Sequence, residues 1–186
     1  GFFHVKKTGD RWWTIDPEGY RCFNIALNSI NTGNSDRSQK ALKQKFGTKE
    51  NWMKQTIQLI QDHGFNCAGS WSDVEAITEA NKSLEKPLAY CINWNFMSSY
   101  GKQRGGTYQQ PGHTGYPNNA ILVFDPEFEK FCDEHARQLL KTKDDPNLFG
   151  HFSDNEMPFK FKSLDNYLAL PENEPGHAAA QKWMRE

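Results

Sequence analysis

Leu148-Phe149-Gly150-His151-Phe152-Ser153-Asp154-Asn155-Glu156 is a short apolar run that finishes on polar residues and an Asn-Glu pair. It follows an amphipathic helical pattern, in which Phe128, Phe131, Cys132, His135 and Leu139 share one face, and the turn Asp144-Asp145-Pro146-Asn147. The run therefore reads as a strand entered from a helix, the order that builds a parallel sheet. Glu156 is then expected at the carboxyl end of its strand, where α/β barrels carry their chemistry.

Working outward, the same alternation recurs. Phe65 to Trp71 and Leu88 to Asn95 read as strands, each preceded by a helical stretch. Thr48 stands as the N-cap of a helix carrying Trp52, Met53, Ile57 and Ile60, and Gly64 ends it. Ser72-Asp73-Val74-Glu75 has the form of a capping box. Upstream, Phe2–Lys7 and Arg11–Asp16 flank Thr8-Gly9-Asp10 as a hairpin, and Asp16-Pro17-Glu18-Gly19 turns the chain into a third strand, 20–30. The apolar centre of that strand, Phe23 to Leu27, is expected to be covered on both faces. Residues 96–122, rich in Gly, Tyr, Gln and Pro, read as one long loop, of a length that is usually either functional or disordered.

Strand, helix, strand, helix, strand, helix, strand implies right-handed crossovers and a parallel sheet. A doubly wound nucleotide fold needs a Gly-rich turn after its first strand, and Asn28-Ser29-Ile30-Asn31-Thr32-Gly33-Asn34 has no G-x-G-x-x-G. A (β/α)8 TIM barrel fits the polar strand ends better. Such a barrel takes about 250 residues, and four barrel strands are counted in these 186 residues. The expected fold is thus the N-terminal half of a barrel, about four βα units over residues 20–186, preceded by a small β-hairpin element at 1–19.

Composition adds bounds. A hydrophobic content of 37% over this length supports a sizeable core in one domain. A net charge of -1 gives no reason to expect nucleic acid or an anionic membrane as partner. No apolar run approaches the roughly 18 residues of a membrane span. The four cysteines, Cys22, Cys67, Cys91 and Cys132, show no metal-ligand spacing and read as buried thiols. Aromatic residues make up 13% of the chain, with six Trp, a supply of flat faces that suits sugar rings. His135, within an apolar stripe, reads as a packed histidine.

Trp12-Trp13-Thr14-Ile15-Asp16-Pro17-Glu18-Gly19, the strand Phe23 to Ile30 with Asn28 at its end, Gly64-Phe65-Asn66 leading to Gly69-Ser70-Trp71, and Gly150 to Glu156 come in one order and spacing. In these motifs the chain resembles clan A glycoside hydrolases, most closely the family 50 β-agarase type. The resemblance implies a retaining glycoside hydrolase acting on β-galactosidic bonds of a polysaccharide such as agarose. It implies Glu156 as general acid/base and Asn155 as the partner of a sugar hydroxyl beside the cleaved bond. No metal or organic cofactor is implied, and the location is periplasmic or extracellular.

Retaining chemistry needs a second carboxyl about 5 to 5.5 Å from the first. In the family it comes from the seventh strand, which these residues do not reach. Asp154 and Asp73 are the two carboxylates that strand geometry leaves as other candidates. Asn28, Trp71, Asn93 and Trp94 end three strands and are expected to bind sugar at one mouth. The alternative is a catalytically incomplete half-barrel that binds glycans, associates with itself, or assembles with a second chain that completes the barrel.

Overall fold

The computed structural model describes all residues, 1–186. It divides into two compact units, residues 1–93 with 142–152, and residues 94–141 with 153–186.

The first unit opens with an antiparallel sheet, β1 (His4–Thr8), β2 (Arg11–Ile15) and β3 (Arg21–Cys22), in the order β1-β2-β3. The expected hairpin pairs His4 with Ile15 and Thr8 with Arg11. At the second turn the Asp16 carboxylate accepts the amides of Glu18 (3.0 Å) and Tyr20 (2.9 Å), while Gly19 takes φ 96°. That backbone geometry favours glycine.

A four-stranded parallel sheet follows, β4 (Ala26–Leu27), β5 (Cys67–Ala68), β6 (Ala89–Asn93) and β9 (Leu148–Phe152), in the order β4-β5-β6-β9. Helices α1 (Asp36–Phe46), α2 (Lys49–Asp62) and α3 (Val74–Asn81) connect its first three strands. The result is a mixed α/β fold with a parallel sheet.

The expected strand at 20–30 is instead two short strands in different sheets. Between them the Asn66 side chain takes the place of a ladder neighbour. Its Oδ1 accepts the Ile25 amide at 2.8 Å and its Nδ2 donates to the Phe23 carbonyl at 2.7 Å. Nor is the segment covered on both faces: Phe23 is 74% exposed and Ile25 51%. Phe23 and Ile25 lie between β3 and β4, outside the ladders of both sheets.

Residues of α2, α3 and one sheet face form the main core. Met53, Ile57, Ile77, Ala68, Leu88 and Tyr90 are buried together. Each fully buried aliphatic or aromatic side chain contributes about 1.5–3 kcal/mol. The expected caps of α2 form: Thr48 Oγ1 accepts the Asn51 amide at 3.1 Å. At the far end the Phe65 amide donates to Ile60 O and the Gly64 amide to Gln61 O, both at 3.0 Å, a Schellman ending with Gly64 at φ 84°. Helix α3 departs from expectation. Its cap is Asp73, whose Oδ1 accepts the Ala76 amide at 3.1 Å, because the Ser72 hydroxyl is engaged by the Ile30 amide. Asn81, buried, bonds both the amide and the carbonyl of Leu88 at 2.9 Å and so fixes α3 to the entry of β6.

On the other sheet face Cys67, Ala89 and Cys91 pack with Phe3 and Phe149. All four cysteines are free thiols; Cys67 and Cys91 are buried, Cys22 and Cys132 half-buried. Contact with Cys91, reinforced by burial, pushes the Cys67 thiol far above its usual range.

The second unit holds α4 (Phe96–Arg104), the hairpin β7 (Tyr108–Gln110) and β8 (His113–Gly115), α5 (Phe128–Ala136), α6 (Ser163–Leu168) and α7 (Pro175–Trp183). The stretch 96–122, expected as one loop, is therefore largely a helix and a hairpin. Met97, Tyr116 and Ile121 form its core with Phe128, Met157 and Tyr167 around them. Arg104 ties the unit together, pairing with Asp125 and, at 2.7 Å, with Glu174. No helix in the chain is long and apolar enough to cross a membrane.

Candidate active site

Each of the four parallel strands is followed within a few residues by a non-glycine residue in the left-handed region: Ser29 (φ 59°) after β4, Trp71 (φ 61°) after β5, Asn95 (φ 53°) after β6 and Glu156 (φ 48°) after β9. Two further residues, Asn118 and Asn119, complete the set. Such a conformation costs an L-residue about 1–2 kcal/mol. Residues of this kind persist where the surroundings enforce them, and they cluster at functional sites.

In the first unit, Asn28, Trp71 and Asn93 stand at the carboxyl ends of their strands. Gly69 makes room for Asn28, since a Cβ there would lie 1.9 Å from Asn28 Oδ1. The adjoining turns are stitched by the Ser29 amide to Ser70 O at 2.9 Å and by Asn31 Nδ2 to Trp71 O at 3.3 Å. Trp71 is 52% exposed. The last residue of β6, Asn93, has a buried Oδ1 with no hydrogen-bond partner.

Trp94, Asn155 and Glu156 belong to the second unit. Trp94 is half-buried and its carbonyl accepts from His135 Nε2 at 2.8 Å. His135 also stacks on Phe131 and meets Phe96 edge-on, the packed histidine that its apolar stripe implied. Asn155 is half-buried beside the exposed Glu156.

The turn that carries Glu156 is anchored upstream. Asp154 Oδ1 accepts the Met97 amide at 2.8 Å and Ser153 O accepts the Phe96 amide at 2.9 Å. Asp154 thereby caps α4, whose own N-cap, Asn95, makes no side-chain cap bond. Burial raises the Asp154 carboxyl above its ordinary range, against the amides of Met97 and Ser98 and the nearby His135, which favour the charged form.

Beyond it, Glu156 Oε2 lies 3.7 Å from Nδ1 of His113 on β8. The pair lines a groove of about 420 Å³ with Gln110, Tyr116, Asn119 and Lys160. Nothing in the sequence signals the approach of His113 to Glu156. The hairpin that delivers it turns at Gly112 (φ 84°), and the Tyr108 ring lies across Gly115, where a Cβ would come within 2.4 Å of it.

Both alternative carboxylates are engaged in local structure. Asp154 holds α4, and Asp73 caps α3 while pairing with Lys49 at 2.5 Å.

No family profile matches the chain. It is 28% identical over 141 residues to Beta-agarase B of Vibrio sp. (strain JT0107), a match covering 71% of this chain and 13% of that protein. Its fold matches BpGH50 with a TM-score of 0.82 at 24% identity, covering 100% of this chain and 41% of that one. The agarase AgWH50C matches with a TM-score of 0.69 at 19% identity, covering 98% and 35%. The chain thus spans well under half the length of each of these relatives. Over that span the chain is similar in sequence to Beta-agarase B and in fold to BpGH50 and AgWH50C.

Proposed function

We propose that the chain is the N-terminal half of a (β/α)8 glycoside hydrolase domain, residues 20–186, led by the hairpin element 1–19. It would serve a retaining hydrolase that cleaves β-galactosidic bonds of a galactan such as agarose, outside the cell or in the periplasm. The observation that carries this reading is the strained left-handed residue after every parallel strand, with Glu156 the carboxylate among them. In a barrel these turns lie on the rim where active sites are built.

In this reading Glu156 protonates the leaving glycosidic oxygen and then removes a proton from the incoming water. His113 is a positioning residue, limiting where the exposed carboxylate swings. Asn155 bonds the neighbouring sugar hydroxyl. Asn28 and Asn93 bond ring hydroxyls, the latter with an acceptor already desolvated. Trp71 and Trp94 offer ring faces to the sugar.

With Asp73 and Asp154 committed to helix caps, the nucleophile is assigned to a segment beyond these 186 residues or to a second chain. The same observation favours a second reading, a half-barrel that binds glycans without turnover. The experiment is Glu156→Gln in the enzyme with its barrel complete, followed by release of reducing ends from galactan oligosaccharides and by binding. Loss of general acid/base catalysis lowers the rate roughly 10²- to 10⁴-fold, with binding retained. An unchanged rate removes Glu156 from the mechanism, and binding without any turnover by the wild type supports the second reading.

A further inference from the structure

A second concave surface adjoins the Glu156 groove in the same unit. It has a volume of about 850 Å³ and is lined by Phe159, Lys160, Phe161, Lys162, Asn119 and Asn166 along with Ser163. Asn119 and Lys160 line both concavities, so one surface runs into the other.

Two properties set this surface apart from ordinary solvated chain. Phe159 is 72% exposed and Phe161 is fully exposed. Burying a phenylalanine ring is favourable, a gain that both side chains forgo here. Their segment is held in shape by its backbone. Ser163 Oγ donates to Lys160 O at 2.6 Å, the Lys160 amide donates back to Ser163 Oγ at 3.2 Å, and the Phe159 amide donates to Met157 O at 2.9 Å. The second property is charge. Lysines alternate with the phenylalanines, no carboxylate lines this concavity, and the one carboxylate of the adjoining groove, Glu156, faces His113.

Aromatic faces suit the apolar face of a sugar ring. Two ammonium groups, with no acid to neutralise them, suit fixed anions on that sugar. We propose that this surface binds the continuation of a galactan chain that carries sulfate half-esters, so that the preferred ligand is a sulfated rather than a neutral galactan. This assignment rests on the galactan reading of the Glu156 groove. Phe159 and Phe161 receive sugar faces, Lys160 and Lys162 the sulfate oxygens, and the Asn119 and Asn166 amides the remaining hydroxyls.

The test compares binding of an agarose hexasaccharide with that of the same hexasaccharide bearing chemically introduced sulfate half-esters, by titration calorimetry at low salt on the protein with its barrel complete. The sulfated ligand is expected to bind about tenfold more tightly, equivalent to about 1.4 kcal/mol. Raising the salt to about 1 M, where the screening length falls to about 3 Å, should erase most of that preference. The double substitution Lys160→Gln/Lys162→Gln should remove the preference and leave the neutral hexasaccharide bound, and Phe159→Ala should weaken both ligands. Equal affinity for the two ligands, binding of neither, or a preference that survives the double substitution overturns the proposal. These outcomes are independent of the Glu156→Gln hydrolysis experiment. Equal affinities with hydrolysis still dependent on Glu156 sink the sulfate assignment alone, whereas a Glu156→Gln enzyme of unchanged rate sinks the hydrolase reading whatever the ligand preference.

Discussion

Replacing Glu156 by glycine should make the protein more stable while removing its proposed acid. The backbone at Glu156 lies at φ 48°. Glycine occupies that region freely, so the substitution recovers most of the 1–2 kcal/mol that the left-handed conformation costs, an estimate of about that size for any L-residue. Against this, glycine loosens the unfolded chain by about 0.4–1 kcal/mol. The side chain contributes little in compensation, being 67% exposed with its imidazole neighbour at 3.7 Å. The balance is a gain of about 0.5–1 kcal/mol, or about 1–4 °C in melting temperature for a chain of this length. Thermal unfolding of wild type, Glu156→Gly and Glu156→Ala separates backbone from side chain, because alanine keeps the strain and loses the carboxylate. A glycine variant that melts at or below the alanine variant refutes the inference that the turn is strained.

Further outcomes follow from neighbouring groups. Asp154 is raised by burial, so the share of stability that its protonation provides is complete below the unfolded value and lost as pH rises through the folded one. Asp154→Asn, which keeps an acceptor for the Met97 amide, should therefore melt at or above wild type at pH 7, with the difference shrinking as the pH falls toward about 4. Asp154→Ala, which loses the cap, should cost about 0.5–2 kcal/mol; a wild-type melting temperature would show that the cap contributes nothing. Asn81→Ala strands both the amide and the carbonyl of Leu88 in a buried setting, a cost of about 2–4 kcal/mol in urea unfolding. A loss under about 0.5 kcal/mol would contradict it.

The parts of the fold that sequence made legible are those governed by residues close together in the chain. The first hairpin turns on Thr8-Gly9-Asp10, and α2 carries both its Thr48 cap and its Gly64 stop within its own stretch. The misread parts depend on distant partners. Helix α4 lacks a local cap and has Gly101 in its interior, and its cap arrives from Asp154, 57 residues away. The segment 20–30 is broken by the carboxamide of Asn66, more than 40 residues further along. At the candidate site, the helix–strand order located the strand before Glu156, but the strand stops at Phe152 and Glu156 lies in the turn beyond it. Its left-handed backbone and its approach to His113 carry no local signal, since the hairpin bearing His113 was itself read as loop.

The cap that Asp154 places on α4 has a kinetic side. Amides in the first turn of a helix have no partner within it, and they ordinarily exchange with solvent hydrogen as the end frays. Here the Phe96 and Met97 amides are both held by the segment that leads into Glu156. Fraying of α4 and loosening of the Glu156 turn are therefore one opening event with one lifetime. The backbone that leads into Glu156 is held as long as those two amide bonds last.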